Sequence, residues 1–239
     1  MEKINNRPSK EIIKDSIVEQ YRTFNKFLTN DKFLNHGYYD PSTGYSNQEN
    51  LYYHLVRNMD ISDLDVLDIG CGHGGGLNLL YNKVGCKSAT GIDISPENID
   101  FCKRTYEDSM SFFVGDAEDL QLQDEKFDIV FNVESAHCYP NYEKFLSEVV
   151  RVLRPGGLFL FTDTLSGVDA DKSDIYLVRK FPGLEVVSEK DISQQVADSC
   201  RVDANNSSSW MIMQVAKEKI DGYLSGEIKY FSFIYRKVA

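Results

Sequence analysis

The chain has no CxxC pair, no run of about 18 apolar residues that could cross a membrane, and no apolar stretch behind its charged N-terminal segment. Without clustered cysteines at ligand spacing there is nothing from which to build a zinc site. The five cysteines, at 71, 86, 102, 138 and 200, read instead as buried free thiols of a cytoplasmic protein. Without the long apolar run no membrane span is expected, and without an apolar h-region no secretory signal. Positive charge is also short: 26 Lys and Arg stand against 37 Asp and Glu, a net charge of −11, and no local basic patch offsets it. That argues against a nucleic-acid partner, whose phosphates need cations. What is present is enough for a sizeable core, with 42% hydrophobic and 12% aromatic residues in 239.

Hydrophobic spacing organises the chain. Ile13, Ile17, Tyr21, Phe24 and Leu28 recur at three and four, which predicts a helix over 11–28. Asn35 to Pro41 breaks it, and Ser46 with Glu49 forms a capping-box pattern that starts a helix over about 47–58. From residue 65 short apolar runs alternate with helical patterns. The runs are 66–69, 89–94, 111–114, 127–133 and 158–161. Ser95-Pro96 starts one intervening helix, and Pro155-Gly156-Gly157 stops another over 142–153. Helices are expected at 188–201 and 210–223 and a final strand at 228–236. The pattern predicts an α/β fold: a Rossmann-like, doubly wound sheet, mostly parallel with an antiparallel last strand, plus an N-terminal helical lid. The lid is expected over 1–60 and the core over 61–239, with an acceptor-binding insertion around 165–225.

Gly70-Cys71-Gly72-His73-Gly74-Gly75 follows a predicted strand and opens a predicted helix, the context in which G-x-G-x-x-G holds a nucleoside-containing cofactor. Asp93 ends the next strand, where a carboxylate can accept from both ribose hydroxyls. Asp68 lies inside the cradle and would repel a pyrophosphate, yet suits a network around an amino-acid ammonium. Asp116 and Ala117 follow the third strand, where an acid and backbone amides can hold an adenine ring. S-adenosylmethionine therefore fits better than a dinucleotide.

Val66-Leu67-Asp68-Ile69-Gly70-Cys71-Gly72 resembles motif I of class I S-adenosylmethionine-dependent methyltransferases. Gly91 to Ser95, Gly115 to Ala117, Phe127 to Val130 and Leu153 to Gly157 resemble that family's later motifs in order and spacing, over residues 65–163. Asn35 to Asp40 is similar to the lid segment of tocopherol, sterol and natural-product methyltransferases, and Glu134 to Tyr139 to the segment after strand four of phthiotriol-type lipid O-methyltransferases. The resemblance implies S-adenosylmethionine as cofactor and a small, largely apolar acceptor, a lipid or polyketide-like natural product methylated at a hydroxyl. It carries Tyr21, His36, Tyr38, Asp68, Gly70, Cys71, Gly72, Asp93, Ile94, Asp116, Ala117, Asn132 and Glu134 into cofactor binding.

A hydroxyl acceptor must lose a proton, a task that suits histidine. His137, after strand four, is the candidate base, and Glu134 is positioned to orient it or bind the acceptor. His73 reads as a bystander and His54 as surface or core. Tyr38, Tyr39 and Tyr21 are placed over the cofactor's methionine end, where aromatic faces attract a sulfonium. Tyr139 and Tyr142 are expected to line the acceptor pocket. Trp210, Met211 and Met213 read as core before acceptor wall. No metal is expected, Asp163 being the one further acid near the site. Carbon or nitrogen methylation, a non-methylating member of the fold, and a homodimer stay open.

Overall fold

Ser95 shows how locally the fold is written. Its side chain accepts from the Asn98 amide, and Pro96 follows at the first helical position, so the helix Pro96–Thr105 begins there. Ser46 and Glu49 close a capping box at the start of Asn47–Val56 in the same way. The computed structural model describes residues 9–25, 31–106, 109–166, 178–206 and 210–238; the side chains of 21, 24, 25, 165, 166 and 210–215 lie outside the description.

In chain order the helices are α1 (Lys10–Asn25), α2 (Asn47–Val56), α3 (Gly75–Leu79, continued by a π-turn Leu80–Val84), α4 (Pro96–Thr105), α5 (Tyr142–Val152), α6 (Ser193–Asn206) and α7 (Trp210–Ser225). The strands are β1 (Asp65–Ile69), β2 (Ser88–Asp93), β3 (Ser111–Val114), β4 (Phe127–Val133), β5 (Leu153–Ser166), β6 (Leu184–Asp191) and β7 (Ile228–Lys237). Among the described residues they form one seven-stranded sheet in the order β3-β2-β1-β4-β5-β7-β6. β7 runs antiparallel to both its neighbours, and the other pairings are parallel. The antiparallel last strand is as expected; it sits inside the sheet, with β6 at the edge.

Alternation sends successive side chains to opposite faces. Val66 joins the cluster with α2, α3, α4 and α6, and Leu67 the cluster under α5. On α5 the residues Phe145, Leu146, Val149 and Val152 are fully buried; each contributes about 1.5–3 kcal/mol over exposure. α2, expected in the lid, packs into this core through Leu51, Tyr52, Leu55 and Val56. Gly76 permits this approach, since a Cβ there would lie 2.1 Å from the Tyr52 ring.

Two boundaries differ from expectation, and a third lies outside the described residues. β6 replaces the start of the helix expected at 188–201, which begins at Ser193. β5 begins at Leu153, so Pro155-Gly156-Gly157 lies in a strand with a register shift opposite Phe127 and Ile129. α1 is described to Asn25, and 26–30 lie outside the described residues.

β1 lies between β2 and β4, where the winding reverses, and that switch point puts a crevice at the strands' carboxyl ends.

Candidate functional site

The crevice is a cavity of about 430 Å³, within the usual range for a small-ligand site. The glycine loop forms its floor. Gly70 turns with φ +77°, and Gly72 with φ +54°. A Cβ on Gly70 would meet Ser135 Oγ at 2.3 Å and the Tyr139 hydroxyl at 2.8 Å. Beneath the loop Asn132 Nδ2, with two hydrogens to donate, lies within hydrogen-bond distance of Ile69 O at 2.8 Å, Ser135 Oγ at 2.8 Å and Tyr139 OH at 3.0 Å. Asn132 thus holds the loop in place from below and does not line the cavity.

Asp93 lines the cavity and is nearly buried. It accepts from Gly72 N at 2.9 Å through Oδ2, and from Ser95 N at 2.9 Å and Asn98 Nδ2 at 3.1 Å through Oδ1. Burial lifts its carboxyl above the usual range against the pull of these donors. The carboxylate expected to meet a ribose therefore also fixes the glycine loop to β2 and α4.

Asp68 is fully buried behind the loop and, unlike Asp93, is not among the residues that line the cavity. Tyr52 donates to its Oδ2 at 2.9 Å, while Oδ1 has no hydrogen-bond partner. Burial, with Asp93 nearby, outweighs the tyrosine hydrogen bond and pushes the carboxyl up to about 8. A buried carboxylate oxygen without a donor is costly, and a ligand ammonium, directly or through water, would satisfy it. Tyr52 carried no sequence signal beyond its place on a helix.

At the opposite rim Asp116 meets Lys14 of α1 at 2.5 Å, and the same ammonium reaches Glu118 at 3.0 Å. Ala117 and Ile94 line the cavity beside them, as does Cys71 in the loop. The strap after α1 crosses the glycine loop: Gly75 N donates to Lys32 O at 3.1 Å, and His73 Nδ1 contacts Asp31 O at 2.5 Å. His73 also stacks on Phe101 at 4.2 Å and is not among the residues that line the cavity.

Glu134 has φ 51°, a left-handed conformation unusual for a residue with a side chain. The turn aims its carboxylate at the strap. Its Oε1 accepts from His36 N at 2.9 Å and from Tyr230 OH at 2.6 Å. Burial alone would raise this carboxyl, but the His36 ring and these donors hold it below the usual carboxylate range. Glu134 does not contact His137 through any hydrogen bond described; it ties the strap to β7.

His137 lines the cavity from a short 3-10 turn, Ala136–Cys138, after β4. Its Nδ1 is 2.8 Å from Asp163 Oδ1, and its backbone amide donates to Asp163 Oδ2 at 3.1 Å. Asp163 is fully buried on β5, and the imidazole is 46% exposed toward the cavity side. Burial alone would lower the imidazole, but the hydrogen bond and charge of Asp163 outweigh it and push it up to about 11.

The remaining expected residues lie elsewhere. Tyr38 stacks on His54 with ring centroids 4.5 Å apart, away from the cavity lining. Tyr39 is largely exposed and Tyr142 is buried in the core beside Phe145, so neither lines the site. Tyr139 does. The side chains of Tyr21, Trp210, Met211 and Met213 lie outside the described residues. Among the described residues no group of three His, Cys, Asp or Glu side chains stands close enough to hold a metal, and no helix is long and apolar enough to cross a membrane.

Residues 67–161 match the family model described as "Methyltransferase domain". The chain is 40% identical over 148 residues to a protein of Mycobacterium ulcerans (strain Agy99) named a probable phthiotriol/phenolphthiotriol dimycocerosates methyltransferase 2, over 62% of this chain and 57% of that one. It is 42% identical over 156 residues to a fatty-acid O-methyltransferase of Mycolicibacterium smegmatis, over 60% of this chain and 57% of that one. The matches thus span little more than half the length of these relatives. The crystal structure of geranyl diphosphate C-methyltransferase from Streptomyces coelicolor A3(2) superposes with a TM-score of 0.76 over 97% of this chain and 100% of that one, at 16% identity. At that identity the likeness is one of fold.

Proposed function

We propose that this chain, whose residues 67–161 match a methyltransferase domain model, is an S-adenosylmethionine-dependent methyltransferase acting on a small, largely apolar acceptor at oxygen. One observation carries the reading. A single cavity joins the glycine loop, Asp93 and Asp116 at one end to His137 with its Asp163 partner at the other. The similar fatty-acid O-methyltransferase supports oxygen as the acceptor atom. Bound in the cavity, S-adenosylmethionine would supply a methyl group on a sulfonium, with the methionine sulfur as the leaving atom. Asp93 would hold the ribose and Asp116 the adenine, while Asp68, behind the cavity wall, would reach the amino-acid ammonium with its free oxygen through a bridging water. His137 receives the hydroxyl proton on Nε2 as the oxygen–carbon bond forms. Holding both reactants in line supplies much of the rate, up to about 7–11 kcal/mol for well-oriented pairs.

Carbon methylation is the second reading, because the same His137–Asp163 pair would serve a carbon acceptor that must also lose a proton. Identification of the methylated atom in the product decides between them. The five free cysteines fit a reducing compartment, so we place the enzyme in the cytoplasm, in the making of lipids or related natural products.

Calorimetric titration tests the cofactor. S-adenosylhomocysteine is expected to bind at micromolar concentration and NADH not at all; the reverse result would overturn the reading. Asp68 adds a pH signature. Its carboxyl, at about 8, is neutral below that pH in the free protein, whereas an ammonium partner favours the carboxylate. Affinity for S-adenosylhomocysteine is therefore expected to rise from pH 6 to 8 and to level off above. Binding should release up to one proton at pH 6, measurable by calorimetry in buffers of different ionisation enthalpy. Asp68→Asn should weaken binding and flatten the profile. A wild-type affinity independent of pH over this range would remove Asp68 from the site.

A further inference from the structure

Three lysines line the cavity, and the protein treats them differently. Lys14 is taken up by Asp116 and Glu118. Lys32 rests over the Tyr106 ring, 5.9 Å from its centroid. Lys219, on α7, has no carboxylate partner among the described residues; its Nζ contacts His36 Nε2. His36 Nδ1 in turn is 3.2 Å from Glu134 Oε2. Glu134 already accepts from His36 N and Tyr230 OH. Glu134 stands on the far side of the His36 ring from Lys219, and the ammonium lines the cavity with no ion pair to a carboxylate among the described residues.

We propose that Lys219 binds a carboxylate of the acceptor, so that the acceptor is a lipid-like acid rather than a neutral lipid. The inference rests on the methyl-transfer reading above and adds the charge class of the acceptor. A carboxylate fits better than a phosphate or diphosphate. One ammonium balances one negative charge, and Glu134, buried behind His36, would repel a second. Two sources of carboxylate exist, the acceptor and the methionine end of the cofactor. The acceptor is favoured by position. Asp68, Gly70, Gly72, Asp93 and Asp116 all lie within residues 67–161, whereas Lys219 belongs to the helical pair α6–α7 inserted between β6 and β7. That pair also holds the strap, through Ser199 Oγ to His36 O at 2.7 Å and Tyr39 N to Gln195 O at 3.1 Å.

The test uses the full chain saturated with S-adenosylhomocysteine and titrated calorimetrically with 3-hydroxydecanoate and with 1,3-decanediol, which lacks the charge. The wild type is expected to bind the acid about ten- to a hundredfold more tightly than the diol, the range for one hydrogen bond to a charged group. Lys219→Gln should abolish that preference, Lys219→Arg should keep most of it, and both should bind S-adenosylhomocysteine as the wild type does. An acid bound no better than the diol by the wild type overturns the inference without any variant. So does a Lys219→Gln protein that loses S-adenosylhomocysteine affinity to the same degree, since the carboxylate would then be the cofactor's. Failure of the wild type to bind S-adenosylhomocysteine removes the methyl-transfer reading and this one together; binding of it without acid preference removes this one alone.

Discussion

Replacing His137 by alanine is expected to lower methyl transfer by about 10²–10⁴-fold, the usual contribution of a positioned acid–base group, and to leave the Kd for S-adenosylhomocysteine unchanged. The split follows from where the ring sits. It lines the cavity beyond the glycine loop and bonds to Asp163, and shares no hydrogen bond with Asp68, Asp93 or Asp116. Asp163 makes the prediction sharper. An imidazole held at about 11 is mostly protonated at neutral pH, and only its neutral form can take a proton. The turnover of the wild type should therefore climb with pH through the range 7–10, by up to about tenfold per unit. Asp163→Asn removes the principal support of the raised value, and the imidazole falls back toward its ordinary pKa of about 6.5. The climb in that variant should end near neutrality, at a lower plateau, because a weaker and less well oriented base does the work. A wild-type profile flat above pH 7, or full turnover in His137→Ala, would show that no proton passes to this ring.

The parts of this arrangement that could be read in the sequence are those written locally. Ser46 with Glu49, Ser95 with Pro96, and the glycines after Ile69 each act within a few residues of themselves, so the helix starts and the cofactor loop were legible. Asp163 was visible only as an acid near the site, because its bond to His137 is made by the pairing of β4 with β5, with Val133 opposite Thr162. Lys14 and Lys219 gave no signal at all. Their places depend on how α1 and α7 dock, and nothing in a solvated-looking lysine announces the cavity it will line. β6 escaped for another reason. It is an edge strand paired on one side, with Val186 and Val187 both exposed, so the alternation that marks a half-buried strand is absent. Tyr38 and Asn132 stand outside the cavity lining because of packing between distant segments: the first stacks on His54 and the second supports the glycine loop.

Gly70→Ala is expected to weaken S-adenosylhomocysteine binding by about 10²-fold, through two effects that a second variant separates. The first is conformational: at φ +77° an L-residue costs about 1–2 kcal/mol. The second is steric. The new methyl would lie 2.6 Å from Ser135 Cβ as well as 2.3 Å from its Oγ, so rotating the serine does not relieve it. Either Ser135 leaves Asn132 and Tyr139, or the loop lifts away from Ile69 and carries Gly72 and its bond to Asp93 with it. Displacements of that size move the groups that must meet the cofactor by a sizeable fraction of an ångström, which is enough to account for the loss. Gly44 supplies the control. It has φ +76° but open space where a Cβ would stand, so Gly44→Ala carries the backbone strain alone. That variant should lose thermal stability while binding S-adenosylhomocysteine like the wild type. A Gly70→Ala protein that also binds it like the wild type would mean that the loop does not approach the ligand, and the cofactor end of the cavity would have to be sought elsewhere along the carboxyl edge of the sheet.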